Sequence, residues 1–194
     1  GSEMCIRDRS TPADAKGLLA TAIRDDDPVI FFEHKTLYTI SGDVPDDEYL
    51  VPFGKARIVS EGNDCTLVAT GRMVSFCENA AQALAEDGIT CDIIDPRTTS
   101  PLDEDAILDS VEKTGRLVVV DETPPRCSFA ADIAALAAGE VFSSLKAPVR
   151  QITGPHSPVP FAKELEGEFV PSPTKIRDAV AEVVNFKSVS YTHL

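Results

Sequence analysis

Positive charge is what this chain has least of: 18 lysines and arginines stand against 32 aspartates and glutamates, giving a formal net charge of −14 over 194 residues. A surface so acidic repels phosphate backbones and anionic lipid alike, which argues against nucleic acid and membranes as partners and suits a basic protein. Paired cysteines are missing as well. Cys5, Cys65, Cys77, Cys91 and Cys127 stand singly, with no CxxC pair and no histidine at ligand spacing, which argues against structural zinc and iron–sulfur clusters. Cys65 and Cys91 lie inside apolar runs, where a thiol behaves as a small buried hydrophobe. No apolar run approaches the roughly 18 residues that span a bilayer, and no signal-peptide pattern occurs, so a cytoplasmic location is expected. Gly54, Gly62, Gly71 and Gly88 show neither GxGxxG nor Walker spacing and stand at element ends, as turn glycines do.

What is present is a core. Hydrophobic residues make up 43% of the chain, and a chain of this size buries roughly 70% of its extended surface on folding. One main domain with a short appendage is the natural reading. Residues 12–24 carry apolar positions at helical spacing behind Thr11 or Asp14 as caps, and PVIFFE (28–33) reads as a short buried strand. From 34 to 54 the periodicity disappears, and Gly42, Pro45, Pro52 and the run Asp46, Asp47, Glu48 mark a surface linker and a domain boundary.

Beyond it, strands at 65–70, 91–95, 116–121 and 149–153 alternate with helices at 73–87, 103–114, 129–145 and 174–184. Val74, Cys77, Ala81 and Leu84 share a face of the first of these helices. Such spacing predicts mostly parallel pairing with right-handed crossovers, hence a three-layer α/β/α domain. A strand at 57–60, close in sequence to 65–70, is expected to form an edge hairpin with it and make the sheet mixed.

Two apolar strands end in rigid proline-rich turns, DPRTTSPLD (95–103) and PVRQITGPHSPVPFA (148–162). Together with DAKGLLATAIRD (14–25), PFGKA (52–56) and LVVVDE (117–122), they resemble the beta subunit of the thiamine-diphosphate-dependent dehydrogenase component of 2-oxo acid and acetoin dehydrogenase complexes. The resemblance runs from Thr11 to Val184 in one order. It implies a transketolase C-terminal-type domain over 55–186, preceded at 11–54 by the last helix and strand of a pyrimidine-binding domain and a linker. The ends, SEMCIRDR (2–9) and SVSYTHL (188–194), resemble translated adapter sequence, so residues 1–10 and 187–194 are read as non-native flanks.

The resemblance implies thiamine diphosphate and magnesium in the whole enzyme, with the pyrimidine-contacting glutamate and the active-site histidine upstream of Thr11 and the diphosphate held by a separate alpha subunit. No catalytic or cofactor-binding residue is therefore assigned in this chain. It further implies a second beta subunit and a dihydrolipoyl acyltransferase core as partners, with Asp132, Glu140, Glu164, Glu166 and Glu168 as an acidic docking face and Lys146 where relatives often present an acid. A structural potassium is carried over to Ala22, Ile23, Asp25 and Asp27, because helix C-terminal carbonyls and nearby carboxylates favour a hard cation. The alternative there is a solvated acidic turn.

Three other sets invite chemistry. Glu33 and His34 adjoin at a strand end, but neighbours on an extended chain point apart, which favours a linker or interface contact. His156 lies in a turn without a nucleophile or metal partner and reads as a surface residue. Asp121 and Glu122 form a carboxylate pair suited to acid–base work, while the resemblance assigns the position to subunit packing. The run DETPPRCSFAADI (121–133) looks closest to acetoin-type and broad bacterial members. The alternatives are the last domain of a transketolase or deoxyxylulose-phosphate synthase, for which a basic sugar-phosphate cluster is missing, and a free interaction module.

Overall fold

A computed structural model describes residues 10–187 together with the backbone of a strand at Cys5–Arg7. In chain order the elements are β1 (Cys5–Arg7), α1 (Pro12–Arg24), β2 (Val29–Phe31), β3 (Arg57–Ser60), β4 (Cys65–Ala69), α2 (Arg72–Glu86), β5 (Cys91–Asp95), β6 (Thr98–Ser100) and α3 (Glu104–Thr114). They continue with β7 (Leu117–Asp121), α4 (Phe129–Glu140), β8 (Arg150–Thr153), α5 (Lys163–Phe169) and α6 (Pro173–Val184).

Strands β3-β5-β4-β7-β8 make one sheet in that order. β4, β5 and β7 are buried at every position. Their hydrophobic runs admit no solvent face, as parallel strands covered on both sides require. Side-chain alternation splits the core in two. Leu67, Ile93, Val118 and Val120 face α2 and α6, meeting Met73, Val74, Cys77, Leu84, Ile176 and Val180. Val68, Ile94, Leu117 and Val119 face α3 and α4, meeting Ile107, Val111, Ile133 and Ala137. The result is the three-layer domain expected. Ala81 is only partly buried, and Ala80 takes its place in the core.

Several expectations change in detail. β3 makes the sheet mixed, but it pairs antiparallel with β5 and not with β4 as a hairpin. Gly62, in the connection between β3 and β4, explains this: a Cβ there would stand 2.3 Å from the Cys91 amide nitrogen, so the chain passes hard against β5 before entering β4. α4 stops at Glu140, followed by a separate 3₁₀ turn at Phe142–Ser144. α5 and β6 lie where the sequence reads as turn, being too short for periodicity to declare them.

A second small sheet runs β2-β1-β6, with β1 parallel to β2 and antiparallel to β6. β1 lies in the segment read as fitting no strand, and its backbone pairs between two open strand edges, a bonding that any extended chain can make. The flank from 188 onward lies outside the described residues.

Candidate functional site

Parallel α/β sheets gather their sites at the carboxyl ends of their strands. Here two polar clusters stand at those ends. The first joins the appendage to the domain. Asp95, fully buried at the end of β5, accepts hydrogen bonds from the Ser10 hydroxyl and the Arg97 amide, and pairs with Arg57 at 3.4 Å. Asp14, on the first turn of α1, pairs with Arg97 at 3.1 Å and Arg57 at 3.4 Å. Arg97 also donates to the Lys55 carbonyl at 2.7 Å, and its φ of 59° is held by the Asp95 side chain bonding its amide. Burial pushes the Asp95 carboxyl up, with Ser10 and Arg57 opposing that rise. Two carboxylates and two guanidiniums so interleaved fix the angle of α1 on the domain.

The second cluster unites residues far apart in sequence. His34 caps the 3₁₀ turn Lys35–Thr39 by accepting at Nδ1 from the Thr36 amide, and its Nε2 lies 2.8 Å from Glu122. Arg72, opening α2, lies 3.6 Å from the same carboxylate. Glu33 turns away and accepts from the Tyr38 hydroxyl at 2.5 Å. Glu33 and His34 thus form no dyad. Asp121 and Glu122 also part: Asp121 is buried and accepts from the Thr123 amide and hydroxyl and from the Ala130 amide, tying β7 to the start of α4. His156 is exposed in its turn. Sequence reading missed the meeting of His34, Arg72 and Glu122 because no local pattern connects positions so distant.

A third network runs inward from the surface residue Lys113. Asp92 accepts from the Gly62 amide and the Ser110 hydroxyl, each at 2.7 Å, and from Lys113 at 2.5 Å. Thr66 continues the chain to Ser110 and Thr114. Burial pushes the Asp92 carboxyl up, but Lys113, Ser110 and Gly62 outweigh it and hold it below its ordinary value. Burial also raises the thiols of Cys65, Cys77 and Cys91, the last to about 12. These thiols are inert core groups.

The segment read for potassium ends α1 at the surface. The Ala22 carbonyl accepts from the Asp25 amide at 3.4 Å, and the Asp25 carboxylate accepts from the Asp27 amide at 3.0 Å. Ile23 is exposed, and Arg24 is committed to the Ala20 carbonyl and Glu48. Among the described residues no three histidine, cysteine or acidic side chains gather as a metal cage. The five docking acids do not form one face: Asp132 and Glu140 ride on α4 over one side of the sheet, whereas Glu164, Glu166 and Glu168 lie on α5, which borders α2 on the other. Beside α4 a groove of about 740 Å³ is lined by Ala134, Ala138, Phe142, Leu145, Pro148 and Phe186. Lys146 lies against Gly115 with its ammonium 3.5 Å from the Thr114 carbonyl, at the end of α3.

The family described as "Transketolase, C-terminal domain" matches residues 54–176. The acetoin:2,6-dichlorophenolindophenol oxidoreductase subunit beta of Bacillus subtilis is 54% identical over 175 residues, covering 90% of this chain and 51% of that protein. The pyruvate dehydrogenase E1 component subunit beta of Bacillus subtilis is 42% identical over 178 residues, covering 91% and 54%. A solved structure titled "Split gene transketolase, inactive beta4 tetramer" superposes with a TM-score of 0.76 at 20% identity, covering 96% of this chain and 58% of its own. The chain spans about half the length of the curated relatives it matches.

Proposed function

This chain belongs to the transketolase C-terminal domain family, and from that premise we propose that it is the closing part of a beta subunit of a 2-oxo acid or acetoin dehydrogenase complex. Co-linear likeness to such beta subunits over 90% of the chain carries the reading. The whole enzyme performs thiamine-diphosphate-dependent decarboxylation or cleavage and passes the acyl group to lipoyl-lysine. The cofactor supplies the carbanion chemistry when bound. In this reading the diphosphate is held by the alpha subunit, and the groups that activate the cofactor lie upstream of Thr11.

What this part contributes is assembly. The Asp14, Arg57, Asp95 and Arg97 network holds α1 rigidly to the domain, so the upstream half is delivered in a fixed orientation. Partners in this reading are the alpha subunit, a second beta subunit through the groove beside α4, and the acyltransferase core, in the cytoplasm. Magnesium belongs to the alpha subunit's side. Potassium at Ala22, Ile23, Asp25 and Asp27 would need further ligands from upstream of Thr11.

Acetoin, pyruvate and 2-oxoisovalerate, each supplied with thiamine diphosphate and magnesium, test the reading. The chain alone should give no turnover, and the full-length subunit rebuilt upstream of Thr11 should give turnover only with its alpha partner. Activity of the isolated chain, or a rebuilt subunit that works without any partner, overturns it.

A further inference from the structure

Next to the contact of Arg72 with Glu122 lies a cleft of about 480 Å³, bounded by the first turns of α2, by α5 and by the start of α6. The assembly role leaves its chemistry unused. Two cations line it. The Arg72 guanidinium lies 4.8 Å over the Phe76 ring and 3.6 Å from Glu122, beyond hydrogen-bond range, and it donates no hydrogen bond to any described residue. Lys163, unlike Arg72, has no ion-pair or hydrogen-bond partner among the described residues. Glu166 is the one carboxylate in the lining. With Glu122 beside Arg72 counted along with Glu166, the cleft sets two cations against two carboxylates, a neutral spot in a molecule of net charge −14.

Phe76, Val170 and Pro171 form an apolar wall beside the cations, with the hydroxyl residues Thr36 and Ser172 also in the lining. Such a mixture sorts ligands. Inorganic phosphate would satisfy the charges and leave that wall in water, whereas a neutral apolar molecule would cover the wall and desolvate the guanidinium without pairing it. We propose that this cleft binds a small monocarboxylate with an apolar body, the carboxylate taken by the fork of Arg72 with help from Lys163 and the hydrocarbon laid against Phe76, Val170 and Pro171. A guanidinium already stacked on an aromatic ring is oriented for such a two-point contact, and an ammonium in its place would not be.

Butanoate, its neutral isostere butanamide, and inorganic phosphate are the probes, titrated into the isotope-labelled 194-residue chain and followed by amide chemical shifts. Butanoate should give saturable shifts centred on Arg72, Phe76, Lys163 and Val170, with butanamide and phosphate weaker by about tenfold or more, the worth of a charge-assisted pair. Arg72→Gln should abolish the butanoate response while leaving the melting temperature within a degree or so. Glu166→Gln removes the like charge and should tighten butanoate binding about twofold, an effect that a purely structural Arg72 would not produce. Shifts that do not saturate, equal binding of butanamide or phosphate, or retained binding in a folded Arg72→Gln variant overturns the proposal. Should Arg72→Gln fail to fold, Glu166→Gln decides, and unchanged or weaker binding there overturns it.

Discussion

At the scale of single residues, Asp92 shows how a buried carboxylate is held ionised. Three donors converge on it, the Gly62 amide, the Ser110 hydroxyl and Lys113, and together they overcome the desolvation that burial imposes. Asp92→Asn keeps the shape but forfeits the charge, so it should cost about 1.5–3 kcal/mol at neutral pH, the range for a hydrogen bond to a charged group. The sign with pH follows. Because the folded value lies below the ordinary 3.8, the contribution is complete above that value and is lost as pH falls through the folded one. Urea unfolding of both proteins should therefore show a gap that is full near neutrality and closes in strong acid; a gap constant with pH would mean that ionisation of Asp92 contributes nothing. None of this network was legible in the sequence, where Asp92 is one more residue of an apolar run. The thiols of Cys65 and Cys91 were legible, because a short run that buries both faces buries whatever it carries.

Among elements, α1 and the central strands are legible in the sequence because their signals are local: Thr11 caps α1 by accepting from the Asp14 amide, as its position before Pro12 implies. The partner of β3 was not legible, since sequence proximity to β4 says nothing of the close passage at Gly62. Lys146 shows the same limit. Its likeness to a docking position suggests that an acid there strengthens a complex, yet the side chain lies over Gly115, whose φ of 73° ends α3, and it faces the last carbonyls of that helix. A cation belongs at that negative end. Lys146→Asp should destabilise the domain by about 1 kcal/mol, seen as a lower urea midpoint with unchanged slope. A midpoint equal to or above that of the parent would show that the α3 terminus does not use Lys146.

For the whole molecule, salt separates two kinds of association that the same surface invites. The groove beside α4, with Phe142 and Phe186 exposed on its rim, is apolar, and the small Ala134 and Ala138 in its floor allow close approach of a second copy. Two copies, each carrying −14, repel at long range, so screening should favour self-association: the Debye length falls from about 30 Å at 0.01 M to about 8 Å at 0.15 M salt. Docking to a basic binding domain has the opposite sign, because there the long-range term is attractive and salt weakens it. Sedimentation velocity at those two salt concentrations should thus show the self-associated fraction rising with salt, while binding to a basic partner falls. Ala138→Glu should remove the self-associated species without changing the far-ultraviolet dichroism, since Ala138 is an exposed position of α4 and Ala137 is the core one. Self-association that weakens with salt, or that survives Ala138→Glu, would place the contact on charged surface elsewhere, because an apolar groove between two acidic bodies cannot respond to screening in that direction.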